Sequence, residues 1–192
     1  MLTLILDITG DHKADGTLEG ITAEEFVEMF SKLTVHTLAV VITDFCHSGN
    51  VLRLQFQLFV ARDGHGFWIE TNEWLEDTRT GKKGGVVSPM LHVAACLRQE
   101  NAYETGRRGG YATNGLAQLE ANSTTLTGFL VNLRQHVVGH LNDGKTYATN
   151  PLPIDATQVP QIFCSGQPLA NDPEIFARIR MGVVHPFLPI SQ

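Results

Sequence analysis

Hydrophobic and polar positions along this chain follow two rhythms, one of strands and one of helices. Leu2–Ile8 is apolar and rich in branched side chains, which predicts a buried strand. Thr9–Gly20 is polar, with several Gly and Asp, and predicts a loop. Thr22-Ala-Glu-Glu25 has the spacing of a capping box, after which Phe26, Val27, Met29, Phe30 and Leu33 form the apolar face of a short helix. Thr37–Thr43 is an almost unbroken apolar run, as expected of a central parallel strand covered on both faces. Strand, helix and strand make a βαβ-type unit.

Leu54–Val60 and Phe67–Thr71 predict a hairpin turning at Arg62–Gly66. The dipeptide His65-Gly66 belongs to that turn. Thr78–Gly85 reads as a basic loop, Met90–Ala95 as another short buried strand, and Glu104–Gly110 as a Gly/Arg-rich loop. Tyr111–Glu120 and Ser123–Val138 have helical periodicity, with Asn122 or Ser123 as the cap of the second helix. Pro151, Pro153 and Pro160 mark an extended connection into a last strand at Gln161–Cys164. The Pro-containing tail, residues 171–192, is not assigned an element. The pattern predicts one α/β domain over residues 1–192, a mostly parallel sheet flanked by helices.

Composition narrows the possible roles. Of 192 residues, 43% are hydrophobic, enough for a core. The 14 basic and 20 acidic residues give a net charge of −6, which disfavours nucleic acid and anionic membranes as partners. The longest apolar run, Leu38–Ile42, is far below the roughly 18 residues of a membrane helix. Met1–Leu6 lacks a basic flank and is ended by Asp7, short of the roughly 7–15 apolar residues of a signal peptide. Cys46, Cys96 and Cys164 are odd in number and far apart, which suggests neither a disulfide framework nor a zinc ribbon. A reducing, cytoplasmic setting is expected.

In open α/β sheets the chemistry lies beyond the carboxyl ends of the strands. Asp44-Phe45-Cys46-His47-Ser48-Gly49 comes directly after the central strand. A thiol there is either reachable from solvent or an inert, half-buried small hydrophobe.

The stretch VVITDFCHSGNVL, residues 40–52, resembles the catalytic-cysteine segment of metacaspases and other caspase-like peptidases: an apolar strand ending in Asp-x-Cys-His-Ser-Gly. A second block, His92-Val-Ala-Ala-Cys through Ala-Tyr-Glu104, continued by Gly109-Gly110-Tyr-Ala-Thr113 and Leu116, is similar to a later strand and helix of fungal caspase-domain proteins. A third, Pro160-Gln161 through Phe163-Cys164-Ser-Gly166, lies near the family's terminal strand. Together they cover roughly residues 1–170. The resemblance implies a cysteine endopeptidase acting on peptide or protein substrates. Cys46 would attack a peptide carbonyl as thiolate to form an acyl-enzyme, with its own backbone N–H in the oxyanion hole. Asp44 matches the carboxylate of the primary specificity pocket, which implies a preference for Arg or Lys. The alternative for Asp44, even within the family, is a strand-end side chain bonding its own loop.

The family's second catalytic group, a histidine in a His-Gly motif, precedes the cysteine in sequence. Upstream of Cys46 stand only His12, with Lys13 next to it, and His36, at the wrong end of the central strand. Met1–Asp7 resembles the family's stretch on the carboxyl side of the His-Gly motif. The chain is therefore expected to begin after that histidine and to lack the early strands of the caspase-like sheet. The expected fold is a partial one. Loss of the base from a nucleophile–base unit costs on the order of 10⁶ in turnover, so this chain alone is expected to be inactive or nearly so. An uncovered edge on the central strand would promote self-association. Metacaspases commonly depend on calcium. Glu24 and Glu25 lie near the family's acidic ligands, but Arg53 stands where another is expected and repels a cation; no cofactor or metal is predicted. Arg107-Arg108 is a candidate site of activation cleavage. A non-catalytic caspase-like interaction module is the alternative.

Other motifs carry less. Gly139–Thr146, including Lys145, spells a nucleotide-binding P-loop, but a helix precedes it and a Pro-containing segment comes after it. His136 and His140 have helical ligand spacing without the Glu of HExxH, and read as a helix-end pair favoured by the dipole. His92 and Cys96 read as core residues on one strand face. Asn122-Ser123-Thr124 is a glycosylation sequon better explained as a helix cap.

Overall fold

The computed structural model describes residues 2–6, 11–12, 18–19, 22–37, 39–79, 86–105, 109–119 and 123–166. The tail from residue 167 and the Arg107-Arg108 segment lie outside the described residues. In chain order the strands are β1 (Leu2–Leu6), β2 (Asp11–His12), β3 (Leu18–Glu19), β4 (Ala39–Thr43), β5 (Phe56–Val60), β6 (Gly66–Glu70), β7 (Met90–Ala94), β8 (Glu104–Thr105), β9 (Gly109–Gly110) and β10 (Gln161–Cys164). The helices are α1 (Ala23–Ser31), α2 (Asn72–Arg79), α3 (Tyr111–Leu119) and α4 (Leu126–Tyr147). The main sheet is six-stranded, in the order β1-β4-β7-β10-β5-β6. Two short pairs, β2 with β3 and β8 with β9, stand apart from it.

The fold is mixed α/β, but the sheet is not mostly parallel. β1 with β4 and β4 with β7 pair in parallel. β7 with β10, β10 with β5 and β5 with β6 pair antiparallel. The physical reason is local: the hairpin at 61–65 forces β5 and β6 antiparallel, and β10 enters the sheet from the far end after α4. The expected bare edge on the central strand is also corrected. β4 is hydrogen-bonded on both sides because Leu2–Leu6 pairs with it residue for residue, Leu2 opposite Ala39 through Leu6 opposite Thr43. The outer strands of this sheet are β1 and β6.

The period-2 pattern sorts side chains to two cores. Val40 and Ile42 of β4, Leu91 and Val93 of β7, and Ile162 and Cys164 of β10 face α3 and α4, where Leu130, Leu133 and Val137 are fully buried. Ala39, Val41, Met90, Ala94 and Phe163 face the other way, against Phe26 and Phe30 of α1. β4 and β7 are buried at every position, as the apolar runs predict.

Several local expectations hold. The Thr22–Glu25 capping box is formed in both directions, and the His65 segment is a turn, with Gly64 at φ 83°. Others change. α2 has no counterpart in the sequence reading; Thr71 starts it, its hydroxyl accepting from Trp74 N at 3.3 Å. α4 begins later and runs further than the 123–138 reading, and its cap is Thr125, whose side chain accepts from Gly128 N at 3.0 Å. Gly139–Thr146 therefore lies wholly inside a helix, and the loop that a nucleotide phosphate needs is not there.

Candidate functional site

The site is built where two parallel strands end side by side. Thr43 closes β4 opposite Ala94 of β7, and Ala95 N donates to Thr43 O at 2.9 Å. Residues 44–54 extend from the first strand and 95–103 from the second, and the two segments are bound to each other. His47 N donates to Glu100 O at 2.9 Å, and His47 Nδ1 lies 2.9 Å from Arg98 O. Gly49 passes so close that a Cβ there would sit 2.4 Å from Arg98 N; only glycine permits the approach.

Cys46 is exposed, and its Sγ donates to the Ala102 carbonyl at 3.7 Å. The residues just after it hold an unusual backbone. His47, Asn50 and Arg53 have φ of 64°, 47° and 52°, and they are the non-glycine residues in the left-handed region among those described. Such conformations cost on the order of 1 kcal/mol or more each and persist only where the surroundings fix them. Here Asn50 does part of the fixing: its amide donates to Leu54 O at 3.2 Å while its oxygen accepts from Leu54 N at 2.8 Å.

Asp44 is half-buried and reaches α3. Its Oδ2 accepts from Thr113 N at 2.8 Å and from Thr113 Oγ1 at 2.6 Å. A Cβ on Gly110 would lie 2.0 Å from the same oxygen, so the glycine makes room for the carboxylate. A negative charge in the first turn of a helix is also favoured by the macrodipole. The Gly109–Thr113 block and the Asp44–Cys46 block, far apart in sequence, are thus one structure.

Two residues that sequence reasoning missed organise the second segment. Glu100 Oε2 accepts from Leu97 N at 3.0 Å and from Val159 N at 2.8 Å. Gln158 is buried, accepts from Tyr103 N at 2.9 Å and donates to Ala95 O at 3.2 Å. Only its place before Pro160, in an otherwise extended connection, hints at a contact. Cys96 is fully buried among Phe45 O, Glu100 O and Ser48 Oγ, at 3.4–3.5 Å. Burial pushes its thiol above the ordinary range, opposed by the Ser48 hydrogen bond. Cys164 is likewise pushed up, to about 11, by burial.

The remaining candidates fall elsewhere. His92 is fully buried, hydrogen-bonded at 2.8 Å to Thr43 Oγ1 and stacked on Phe163; burial pushes it down to about 3, so it stays neutral. His36 is exposed beyond α1, and His65 sits in the hairpin turn. The side chain of His12 lies outside the described residues. Glu25 is spent on the capping box, and Glu24 pairs with Arg53 at 2.8 Å. Arg53 also meets Asp77 at 2.9 Å, so a guanidinium occupies the place between these carboxylates. Among the described residues no group of three His, Cys, Asp or Glu is arranged to hold a metal ion, and no helix is long and apolar enough to cross a membrane.

No family model matches the chain, and no curated protein matches it. A crystal structure of a protein from Geobacter sulfurreducens is similar over 88% of this chain and 66% of its own length, at 17% sequence identity and a TM-score of 0.42. The chain therefore spans just under two thirds of that protein.

Proposed function

We propose that the chain carries the nucleophile half of a caspase-like cysteine endopeptidase, with Cys46 as the attacking thiol. The observation that carries this reading is the contrast at the end of β4: the one exposed cysteine of the three stands directly before His47, the first of three left-handed residues spaced through 47–53. Strained backbone of this kind gathers at functional sites. The thiol attacks the carbonyl carbon of a peptide bond, the amine leaves with a proton, and water hydrolyses the acyl-enzyme. By the resemblance, the proton acceptor is the histidine of a His-Gly motif. The substrate is a peptide or protein with a basic residue at the cleaved position, selected by Asp44, and the setting is cytoplasmic, in keeping with three free thiols.

One observation favours the second reading, a non-catalytic caspase-like interaction module. Asp44 is already engaged by Thr113, as a structural carboxylate would be. A fluorogenic peptide ending in Arg separates the two. Turnover near background is expected for this chain, with or without calcium. Turnover should appear when a strand ending in His-Gly is joined upstream, and fall by on the order of 10⁶ in Cys46→Ala. A joined chain that folds yet leaves the peptide intact would sink the peptidase reading.

A further inference from the structure

Away from that site, α4 carries two histidines one turn apart, His136 and His140. Their sequence spacing alone suggests a helix end, where the dipole would account for them. α4 runs on to Tyr147, so the pair lies in its interior and the dipole does not explain it. The rings are held face to edge, with centroids 4.5 Å apart and planes at 72°. Their Nε2 atoms are hydrogen-bonded to each other at 2.9 Å, one ring donating to the other, a proton that a bound ion would displace.

Each ring is fixed from α3. Tyr111 stacks on His140, with centroids 5.2 Å apart. A Cβ on Gly115 would meet the His136 ring at 2.8 Å, so the absence of a side chain there lets His136 lie close against α3. On the exposed side of α4 a Cβ on Gly139 would touch nothing within 4 Å, and both histidines are themselves partly exposed. Two ring nitrogens are thus held together on side chains that solvent partly reaches.

We propose that His136 and His140 form a binding site for a late first-row divalent cation, Cu²⁺ or Ni²⁺. Metal–imidazole bonds of about 2.0–2.1 Å place two nitrogens about 2.9 Å apart at a right angle, and about 3.3 Å apart at the tetrahedral angle. The observed separation is within a few tenths of an ångström of what one ion bridging both nitrogens needs, and imidazole sites favour Cu²⁺ over Zn²⁺ in the Irving–Williams order. Both Nε2 atoms ligate, with each ring hydrogen on Nδ1, and water completes the coordination. Cu²⁺ should bind most tightly, then Ni²⁺ and then Zn²⁺.

The test is titration of the purified chain with each chloride salt, read by calorimetry and, for Cu²⁺, by electron paramagnetic resonance. One Cu²⁺ per chain with coupling to two imidazole nitrogens is expected. His136→Gln and His140→Gln should each weaken it by at least about tenfold, since loss of a supporting residue alone costs about 10–100-fold, and should leave coupling to one nitrogen. His65→Gln should change nothing. Circular dichroism checks that the variants fold, and the nitrogen count in the wild-type spectrum stands even if they do not. Binding unchanged in both variants, carried by other surface histidines, would overturn the proposal, as would no binding near stoichiometric metal or a preference for Zn²⁺.

Discussion

Cys46 and Cys96 occupy nearly equivalent places, one just past the end of β4 and the other just past the end of its parallel neighbour β7. Their environments are opposite. Cys46 is exposed and meets one carbonyl at 3.7 Å. Cys96 is fully buried between the two chain segments, with its thiol pushed up by burial. The segment after β4 leaves Cys46 and His47 exposed before it turns into the core at Ser48, whereas the segment after β7 folds over Cys96 and is pinned by Glu100 and Gln158. Position at a strand end is therefore not what makes a thiol available. The backbone path of the next few residues decides it.

The sharpest way to break this contrast is alkylation. Iodoacetamide on the native chain should modify Cys46 at least about a thousandfold faster than Cys96 or Cys164, because the buried pair is reached only through opening, and folding free energies set that scale. In denaturant the rates should converge. Mass spectrometry of tryptic peptides reads all three. Comparable native rates for Cys46 and Cys96 would remove the distinction on which the site rests.

Asp44 tests whether the outer segment is anchored or merely decorated. Asp44→Ala deletes two acceptor contacts to the start of α3 and strands Thr113 N, at a cost of about 2–3 kcal/mol. Gly110→Ala should cost a similar amount by driving a methyl into the same carboxylate. Urea midpoints at constant m-value measure both. An Asp44→Ala protein as stable as the parent would mean that the carboxylate faces substrate rather than α3.

The buried side has a pH signature. His92 is held at about 3, well below its unfolded value near 6.5. Between those values the unfolded chain binds the proton and the folded one does not, so stability falls as pH falls, by about 1.4 kcal/mol per unit. From pH 7.5 to 5 the loss is about 2 kcal/mol from this residue, and His136, also lowered by burial, adds a little in the same direction. His92→Asn should flatten most of the dependence; the slope with pH is the readout, whatever the variant's absolute stability. An unchanged slope would show that His92 does not sit in the core as the neutral form.

Legibility tracks the range of the forces. The capping box, the two fully buried runs and the hairpin turn are readable because each is settled within a few residues: Thr22 with Glu25, Val40 with Ile42, Asp63 with Gly64. The strand directions are not. A buried apolar run looks the same beside a parallel or an antiparallel partner, and β10 enters beside β7 for reasons that lie in α4 and the Pro-containing connection. At the site, Cys46, Asp44 and the Gly109–Thr113 block are singled out in the sequence only by resemblance, and the contact of Asp44 with Thr113 is not legible there at all, since it spans 69 positions. Glu100 and Gln158 look in sequence like any surface polar residue; their roles arise from backbone groups that only the fold brings near.

The smallest effect concerns the far end of the outer segment, where Arg53 bridges α1 and α2. Its two partners differ in exposure: the Asp77 side chain is 20% exposed and the Glu24 side chain 69%. Water screens the outer pair, so Glu24→Gln should cost less than about 0.5 kcal/mol, and most of that should vanish in high salt. Asp77→Asn removes the better-shielded, two-oxygen contact and should cost about 1 kcal/mol. The guanidinium already supplies the positive charge between these carboxylates, so millimolar calcium should leave the urea midpoint where it is. A calcium-dependent rise would mean that Arg53 swings away and yields the place to the ion. In that case the left-handed turn at Arg53 would be a mobile hinge rather than the fixed end of the segment that carries Cys46.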